Sequence, residues 1–288
     1  MIEALRGVDL VRVRDGRREP DMDRAAAEEP LEVRLHGRPF AVIMRTPGAD
    51  RELAAGFLLA ERVVRSADDL GTIEHCGTAA PPDPDAAADA VDAAVRTSHP
   101  ENVINVTLAG RSADALEGLL AERRQVLTNS SCGLCGRLTI ASLKADVDEL
   151  PVGRPVRAAV VSDLPRRLRE AQAVFEETGG LHAAGLFTFE GGLESLAEDV
   201  GRHNAVDKVI GRMLMLEALP LSERLLFVSG RTSYEIVQKA LLAGIPIVAS
   251  VSAPSTLAID LAREAGLTLL GFVRGTSFNI YSHPGRIE

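Results

Sequence analysis

The sequence predicts an α/β protein made of two domains that are joined by a cysteine-containing segment. The chain has 288 residues, enough for one large domain or two ordinary ones, and 46% of them are hydrophobic. Short apolar–polar alternations separated by helical patterns indicate an α+β domain over residues 1–127. Continuous apolar runs that alternate with helices indicate a three-layer α/β domain with a mixed sheet over residues 151–288. Residues 128–150 connect the two domains as a cysteine loop and a helix.

The elements of the first domain follow from its local patterns. Residues 1–30 are charged and poorly patterned, so a ragged leading strand and a loop are expected there. Apolar residues alternate with polar ones over residues 31–42 around Gly37, which predicts a β-hairpin. Asp50 is the expected cap of a helix that reaches about Val64. Strands are then predicted at residues 71–76 and 102–108, with an Ala-, Asp- and Pro-rich loop at 77–98 and a helix at 113–123.

The second domain alternates helices and strands more regularly. Ser162 is the expected cap of a helix over residues 163–178, which ends at a Gly-Gly pair. A hairpin is predicted over residues 181–198, with its turn at Gly191. A helix is then predicted over about residues 202–216. Strands are predicted at residues 225–229, 247–251 and 267–273, and the helices between them end near residues 243 and 265.

The composition argues against several classes of protein. The net charge of −9 argues against a general nucleic-acid-binding or anionic-membrane surface. From its first residues the chain is not expected to have a signal peptide, and no apolar run reaches transmembrane length. Only three cysteines are present, which indicates a reducing compartment rather than a disulfide framework. We therefore expect a cytoplasmic protein that binds neither nucleic acid nor membranes.

Two of the cysteines, Cys132 and Cys135, form a Cys-x-x-Cys motif with a glycine after each of them. Arg137 follows, and a helix-like run over residues 138–145 begins just beyond it. A helix start and an arginine both favour the thiolate, which is the nucleophilic form of cysteine. The motif alone fits a persulfide carrier, a redox dithiol, half of a zinc site or a structural pair. Its place on a glycine-containing loop favours sulfur chemistry.

The loops that follow the strands of the second domain are expected to meet at one edge of the sheet. Loops 229–233, 252–256 and 274–277 carry hydroxyls, glycines and arginines, and a helix opens beside them at Arg202 and His203. Arg202, Arg231 and Arg274, together with helix N-termini, suit the phosphates of a nucleotide-like ligand. The other interpretation is ordinary capping, because Ser and Thr begin helices in most proteins.

Four titratable residues near this edge have structural interpretations as well. His203 either bonds a carboxylate such as Asp199 or Asp207, or contacts the ligand. His182 lies in an apolar strand pattern and is expected to be a satisfied core or interface histidine. The acidic pair Glu198 and Asp199 is expected to be structural, because no nucleophile accompanies it.

The element order of the second domain resembles the cytidine deaminase-like fold. Zinc deaminases place His-x-Glu at the first core helix and Pro-Cys-x-x-Cys at the next. Here the first helix reads His203-Asn204-Ala205, with alanine in the place of the glutamate, and the helix after Arg231 has no cysteine. We therefore expect the architecture to be shared, the deaminase chemistry to be missing, and no zinc to be bound.

Longer motifs resemble the FdhD family of formate dehydrogenase accessory proteins over nearly the whole chain after residue 30. The matching segments are MRTPG at 44–48, SCGLCG at 131–136, TGGLHAAGL at 178–186, EDVGRHNAVDK at 198–208, SGR at 229–231 and YSHP at 281–284. These are far more specific than Cys-x-x-Cys alone. Loop 77–98 has no recognisable pattern of the family.

The resemblance implies a sulfurtransferase. Such a protein accepts persulfide sulfur from a cysteine desulfurase and passes it to Mo-bis(molybdopterin guanine dinucleotide), before that molybdenum cofactor enters formate dehydrogenase. By the same resemblance, Cys132 bears the persulfide and Cys135 is its partner. The family's cofactor-contact segment matches Phe272, Val273, Arg274, Gly275, Thr276 and Ser277. A homodimer is also expected. The rival interpretation is a non-catalytic cofactor chaperone, with cysteines that serve redox sensing or bind zinc.

Overall fold

The computed structural model describes residues 4–76, 100–123 and 149–288, and its first element is a β-hairpin. Strands β1 (Leu5–Arg14) and β2 (Arg17–Ala26) pair antiparallel and form a sheet of their own. The expected loop in this stretch is therefore wrong. The turn residues Asp15 and Gly16 both have positive φ angles, of 50° and 78°, as a tight two-residue hairpin turn requires. The Asp-Gly pair was the available signal.

The N-terminal part of the described chain is built on a four-stranded sheet of order β4-β3-β6-β5. Its strands are β3 (Glu29–Leu35), β4 (Arg38–Arg45), β5 (Leu70–His75) and β6 (Val103–Leu108). The hairpin of β3 and β4 confirms the prediction for residues 31–42. Two short helices, α2 (Gly110–Asp114) and α3 (Leu116–Arg123), follow β6 where one helix was predicted.

Helix α1 (Asp50–Ala60) follows β4 and is shorter than predicted. Its cap is Ala49, which has a left-handed backbone, and no side chain caps the helix. The Asp50 carboxylate instead accepts two hydrogen bonds from the fully buried Arg45, at 3.0 and 2.9 Å. The predicted cap role of Asp50 is thus wrong, because a buried arginine has to be compensated and takes the carboxylate.

The C-terminal part of the chain is built on a six-stranded mixed sheet of order β12-β11-β10-β9-β7-β8. Strands β9, β10 and β11 are parallel, and the other pairings are antiparallel. The strands are β7 (His182–Thr188), β8 (Leu193–Asp199), β9 (Arg224–Val228), β10 (Ile247–Ser250), β11 (Thr268–Arg274) and β12 (Ser277–Ser282). Strand β12 was not predicted. The segment after β11 is consequently a tight hairpin turn and not a free loop.

Helices cover both faces of this sheet. Helices α4 (Ala158–Ala171) and α5 (Ala173–Thr178) lie on one face, where α4 packs on Phe187 and Phe227. Helices α6 (Arg202–Met215), α7 (Tyr234–Leu242) and α8 (Thr256–Glu264) lie on the other, against Leu186 and Val228. This arrangement confirms the predicted three-layer α/β class. The likeness to the cytidine deaminase-like fold stays a prediction.

The start of α4 differs from the prediction. The helix begins at Ala158 after the cap residue Arg157, so Ser162 lies inside it, and the predicted cap role of Ser162 is wrong. The Val160–Val161 pair, which was assigned to the segment before the helix, packs into the core instead. The helix is interrupted at Gln172, where α5 begins after a break in the helical backbone.

The N-terminal and C-terminal parts of the described chain share one apolar core, in which the backbones of α1 and α6 approach each other directly. A Cβ atom on Gly56 would lie 2.0 Å from the carbonyl oxygen of Asp207, and one on Gly211 would lie 1.9 Å from that of Glu52. Only glycine allows this approach. The domain boundaries at residues 127 and 151 stay predictions, since both fall outside or at the margin of the described residues. Among the helices that the structure describes, none combines the length and the apolar composition of a membrane span.

Candidate ligand site at the carboxyl edge of the sheet

The loops after β9, β10 and β11 meet at one edge of the six-stranded sheet, as predicted, and backbone hydrogen bonds join them. The Thr232 amide donates to the Ala253 carbonyl at 3.3 Å, and the Ser255 amide donates to the Thr232 carbonyl at 2.9 Å. The Phe272 amide donates to the Ser252 carbonyl at 3.1 Å. Loops 229–233, 252–256 and 272–277 therefore form one continuous rim.

The turn between β11 and β12 contributes Arg274 to this rim. The residue is exposed, and its guanidinium lies 5.8 Å from the ring centre of Phe272, which is itself partly exposed. Its Nε also donates to the Val251 carbonyl at 3.4 Å. Gly275, Thr276 and Ser277 are exposed at the tip. By contrast, Val273 is fully buried in the core, so its side chain supports the turn from below.

A buried polar network holds the first turn of α6 in place. Asp199 is fully buried, and its Oδ2 accepts from the Thr46 amide at 3.2 Å and lies 2.7 Å from the Nζ of Lys208. Lys208 also donates to the Thr46 carbonyl at 2.8 Å. Asn204 donates to Asp199 at 2.8 Å and to the Met44 carbonyl at 2.7 Å. The segments 44–48 and 198–208 are thus in direct contact, and they fix where Arg202 and His203 begin the helix.

The acidic pair before α6 has the structural role that was expected of it. Glu198 accepts hydrogen bonds from the amides of Val174 and Phe175 at 3.0 and 2.8 Å, which satisfies the start of α5. Asp199 is committed to the network that holds α6. Neither carboxylate is therefore available as a general acid or base.

His203 pairs with a carboxylate that neither its own helix nor the preceding strand supplies. Its Nδ1 lies 2.9 Å from Oε2 of Glu235, and its Nε2 lies 3.1 Å from Oγ of Ser233. The expected partners were Asp199 or Asp207, and this expectation is wrong. Asp207 instead faces the fully buried Lys239, whose Nζ lies 2.7 Å from its Oδ1. Glu235 comes from a different helix, α7, so spacing along α6 carried no signal for it.

His182 lies at the same edge and is only half-buried, so the core alternative of its expected core or interface role is wrong, and the interface alternative stays a prediction. His182 lines a cavity of about 530 Å³ with Ser229, Val251 and groups of α4 and α5, among them Phe175. Burial lowers the pKa of His182, and the neighbouring charges of Arg202 and His203 lower it further. The cavity opens between the sheet edge and the face covered by α4 and α5.

Two arginines and a threonine at the rim have polar atoms that a ligand could use. The Nε of Arg202 and the Oγ1 of Thr232 are buried and have no hydrogen-bond partner among the described residues. Arg231 follows β9 and is exposed. Ser255, in contrast, accepts from the amide of Ala258 at 3.3 Å, so for this hydroxyl ordinary helix capping is the correct interpretation. Unused donors of arginine at a helix start suit an anionic ligand.

The two cysteines of the Cys-x-x-Cys motif, Cys132 and Cys135, lie outside the described residues, as do Arg137 and loop 77–98. The third cysteine, Cys76, follows β5 and is half-buried. The geometry described for the rim therefore concerns the residues predicted to bind the ligand and not the cysteines predicted to carry sulfur.

Comparison with known proteins gives consistent matches along the chain. The model of the FdhD/NarQ family matches residues 26–288. "Sulfur carrier protein FdhD" of Streptomyces avermitilis is 49% identical over 284 residues, which cover 96% of this chain and 94% of the relative. The protein of the same name from Sulfolobus acidocaldarius is 43% identical over 287 residues, or 99% of each chain. A crystal structure from Desulfotalea psychrophila, assigned as a formate dehydrogenase accessory protein, is similar with a TM-score of 0.74. It covers 99% of this chain and 100% of its own at 24% identity, and it supports the fold.

Proposed function

The chain belongs to the FdhD/NarQ family, and from this premise we propose that it is a sulfur carrier in the maturation of formate dehydrogenase. In this proposal it takes persulfide sulfur from a cysteine desulfurase and transfers it to Mo-bis(molybdopterin guanine dinucleotide). The cofactor then enters formate dehydrogenase. The observation that carries the proposal is the high identity, over nearly the full chain, to proteins named sulfur carriers.

The sulfur chemistry is assigned to the two cysteines of the motif. The Cys132 thiolate attacks the outer sulfur of the desulfurase persulfide, whose own cysteine thiolate leaves, so that Cys132 becomes a persulfide. Cys135 then attacks the inner sulfur of that persulfide. The sulfur–sulfur bond to the terminal atom breaks, a disulfide forms between the two cysteines, and the terminal sulfur leaves as sulfide towards the metal.

The cofactor is the substrate in this scheme, and the rim of the sheet is its proposed binding surface. Its guanine dinucleotide arms carry phosphates, for which Arg202, Arg231 and Arg274 supply positive charge. The buried and unused Nε of the half-buried Arg202 supports this assignment, because a buried donor without a partner is costly unless a ligand completes it. His203 and the segment 272–277 lie on the same rim. The network around Asp199 keeps the arginine-bearing helix start in position.

Incubation with a cysteine desulfurase and cysteine, followed by mass spectrometry of the intact chain, tests the sulfur-carrier role. We expect a mass increase of one sulfur atom that is located on Cys132 and removed by a reductant. Cys132→Ala should remain unmodified, and Cys76→Ala is the matched control that should still take up sulfur. A wild-type chain that binds guanine nucleotides but acquires no sulfur would favour the cofactor-chaperone interpretation instead.

A further inference from the structure

Ser233 stands at the cap position of α7 but does not cap it. Its backbone is extended and its residue type is typical of a cap, yet its hydroxyl accepts no hydrogen bond from the first turn. Ser255, in the equivalent position before α8, does accept one, from Ala258. The Ser233 hydroxyl lies instead 3.1 Å from Nε2 of His203. It is therefore committed to an imidazole and not to its own helix.

The other nitrogen of this imidazole faces a carboxylate. Nδ1 of His203 lies 2.9 Å from Oε2 of Glu235, and the two side chains are only 13% and 11% exposed. Oε2 has no hydrogen-bond partner among the described residues despite this short distance, and catalytic contacts are commonly loose before a substrate binds. A carboxylate at Nδ1 favours the tautomer in which Nε2 is free to accept the serine proton.

Lys239 and Asp207 lie next to Glu235 and favour its ionised form. The Nζ of Lys239 lies 3.5 Å from its Oε1, and Asp207 anchors that ammonium group at 2.7 Å. Burial alone would raise the pKa of Glu235, but the contacts with His203 and Lys239 outweigh burial and bring its pKa below the ordinary value. The order of groups, from serine to histidine to a buried ionised carboxylate, is that of a nucleophilic triad.

Donors for a developing oxyanion lie beside the serine. The amides of Glu235 and Ile236, in the first turn of α7, have no carbonyl partner in the described parts of the chain. The adjacent Thr232 is fully buried, and its hydroxyl is unpartnered among the described residues. Arg202 comes directly before His203 on α6, and Arg231 comes directly before Thr232, so both bring positive charge to the neighbourhood of this group. A tetrahedral oxyanion and a negatively charged substrate would both be stabilised here.

We propose that Ser233, His203 and Glu235 form a catalytic triad that hydrolyses esters of anionic carboxylic acids, an activity separate from sulfur transfer. Ser233 Oγ attacks the carbonyl carbon while its proton moves to Nε2 of His203. The bond from the carbonyl carbon to the leaving oxygen breaks, and His203 gives the proton to that oxygen. Water then attacks the acyl-serine, His203 takes a proton from it, and the acid leaves as Ser233 regains its proton.

The test uses the full-length Cys76→Ala, Cys132→Ala, Cys135→Ala triple variant, because thiols themselves attack activated esters and Cys76 is a free cysteine. A fluorophosphonate probe is added, the labelled residue is located by mass spectrometry, and hydrolysis of mono-p-nitrophenyl succinate is compared with that of p-nitrophenyl acetate. We expect labelling at Ser233 and faster hydrolysis of the anionic ester. His203→Ala should reduce hydrolysis by about 10²- to 10⁴-fold, the usual contribution of a general base.

Two further variants, with thermal unfolding as the control for folding, make the outcome decisive. Ser233→Ala should abolish labelling, whereas Ser255→Ala, which removes the structural cap of α8, should be labelled at Ser233 as before. A folded parent chain without label at Ser233, or hydrolysis that survives Ser233→Ala, would overturn the triad. Equal hydrolysis of the two esters would overturn the substrate class. Because the sulfur-carrying cysteines are absent throughout, none of these results bears on the sulfur-carrier proposal.

Discussion

Replacing Gly211 by alanine should loosen the contact between α1 and α6 and displace the helix that carries Arg202 and His203. The added Cβ would lie 1.9 Å from the Glu52 carbonyl oxygen and 2.6 Å from the Gly56 amide nitrogen. Contacts of real Cβ atoms essentially never fall below 3.0 Å, so the helices must separate by roughly an ångström. No rotamer change relieves this clash, because both opposing atoms belong to the backbone.

The energetic cost of this clash is larger than the gain in helix propensity that alanine brings. Overpacking of a core costs about 1–3 kcal/mol, here towards the upper end, while alanine gains up to about 1 kcal/mol over glycine in a helix. We expect a net loss of about 2 kcal/mol in the free energy of unfolding, measured by urea denaturation. Gly118→Ala in α3 is the control, since its Cβ would meet nothing within 4 Å and should be neutral or slightly stabilising. Equal effects of the two substitutions would refute the close-packing argument.

Three other predictions concern the rim and the cysteine motif. Calorimetry with guanosine diphosphate should show saturable binding. Arg231→Ala or Arg274→Ala should weaken the affinity roughly ten- to a hundred-fold, because each removes a charge-assisted hydrogen bond of about 1.5–3 kcal/mol. Arg224→Ala, at the opposite end of β9, should leave the affinity unchanged. Unchanged affinity in both rim variants would place the ligand elsewhere. Folding lowers the pKa of His182, so the unfolded chain binds the proton more tightly and the free energy of unfolding should fall as the pH drops below 6.5. His182→Gln should make the free energy of unfolding, measured by urea denaturation, depend less on pH in that range. An unaltered pH dependence in the variant would contradict this prediction. Elemental analysis should find well under one zinc per chain, and a stoichiometric zinc that is lost in Cys132→Ser would favour a structural cysteine site over a sulfur carrier.

The centre of the six-stranded sheet could be predicted because its parallel strands are mostly buried. Continuous apolar runs such as those of β9 and β10 are typical of strands covered on both faces, and the rule that loops meet at the carboxyl edge then places the rim. Strand β12 was missed because it lies at the edge of the sheet and is largely exposed, so its sequence has no apolar run. The hairpin of β1 and β2 was missed for the same reason, since both its strands are mostly solvent-exposed.

The partners of charged residues could not be predicted, because they depend on which elements pack together. Thr46 and Asp199 are separated by 153 positions in the chain, and nothing in either segment indicates the other. The same holds for His203 and Glu235, which come from neighbouring helices. The local sequence predicts Asp50 as a helix cap, but in the folded chain Asp50 is the counter-ion of Arg45. Local rules identify chemically capable residues, while packing decides what each of them contacts.

The transfer of labelled sulfur tests the central claim most directly. The purified chain is first loaded from radioactive cysteine by a cysteine desulfurase and is then mixed with formate dehydrogenase apoprotein and the molybdenum cofactor. We predict that radioactivity moves from Cys132 to the cofactor of the dehydrogenase as formate oxidation appears, that Cys132→Ala abolishes both, and that Cys135→Ala reduces both. Activation at the normal rate by Cys132→Ala, or an active dehydrogenase without label in its cofactor, would contradict the sulfur-carrier account.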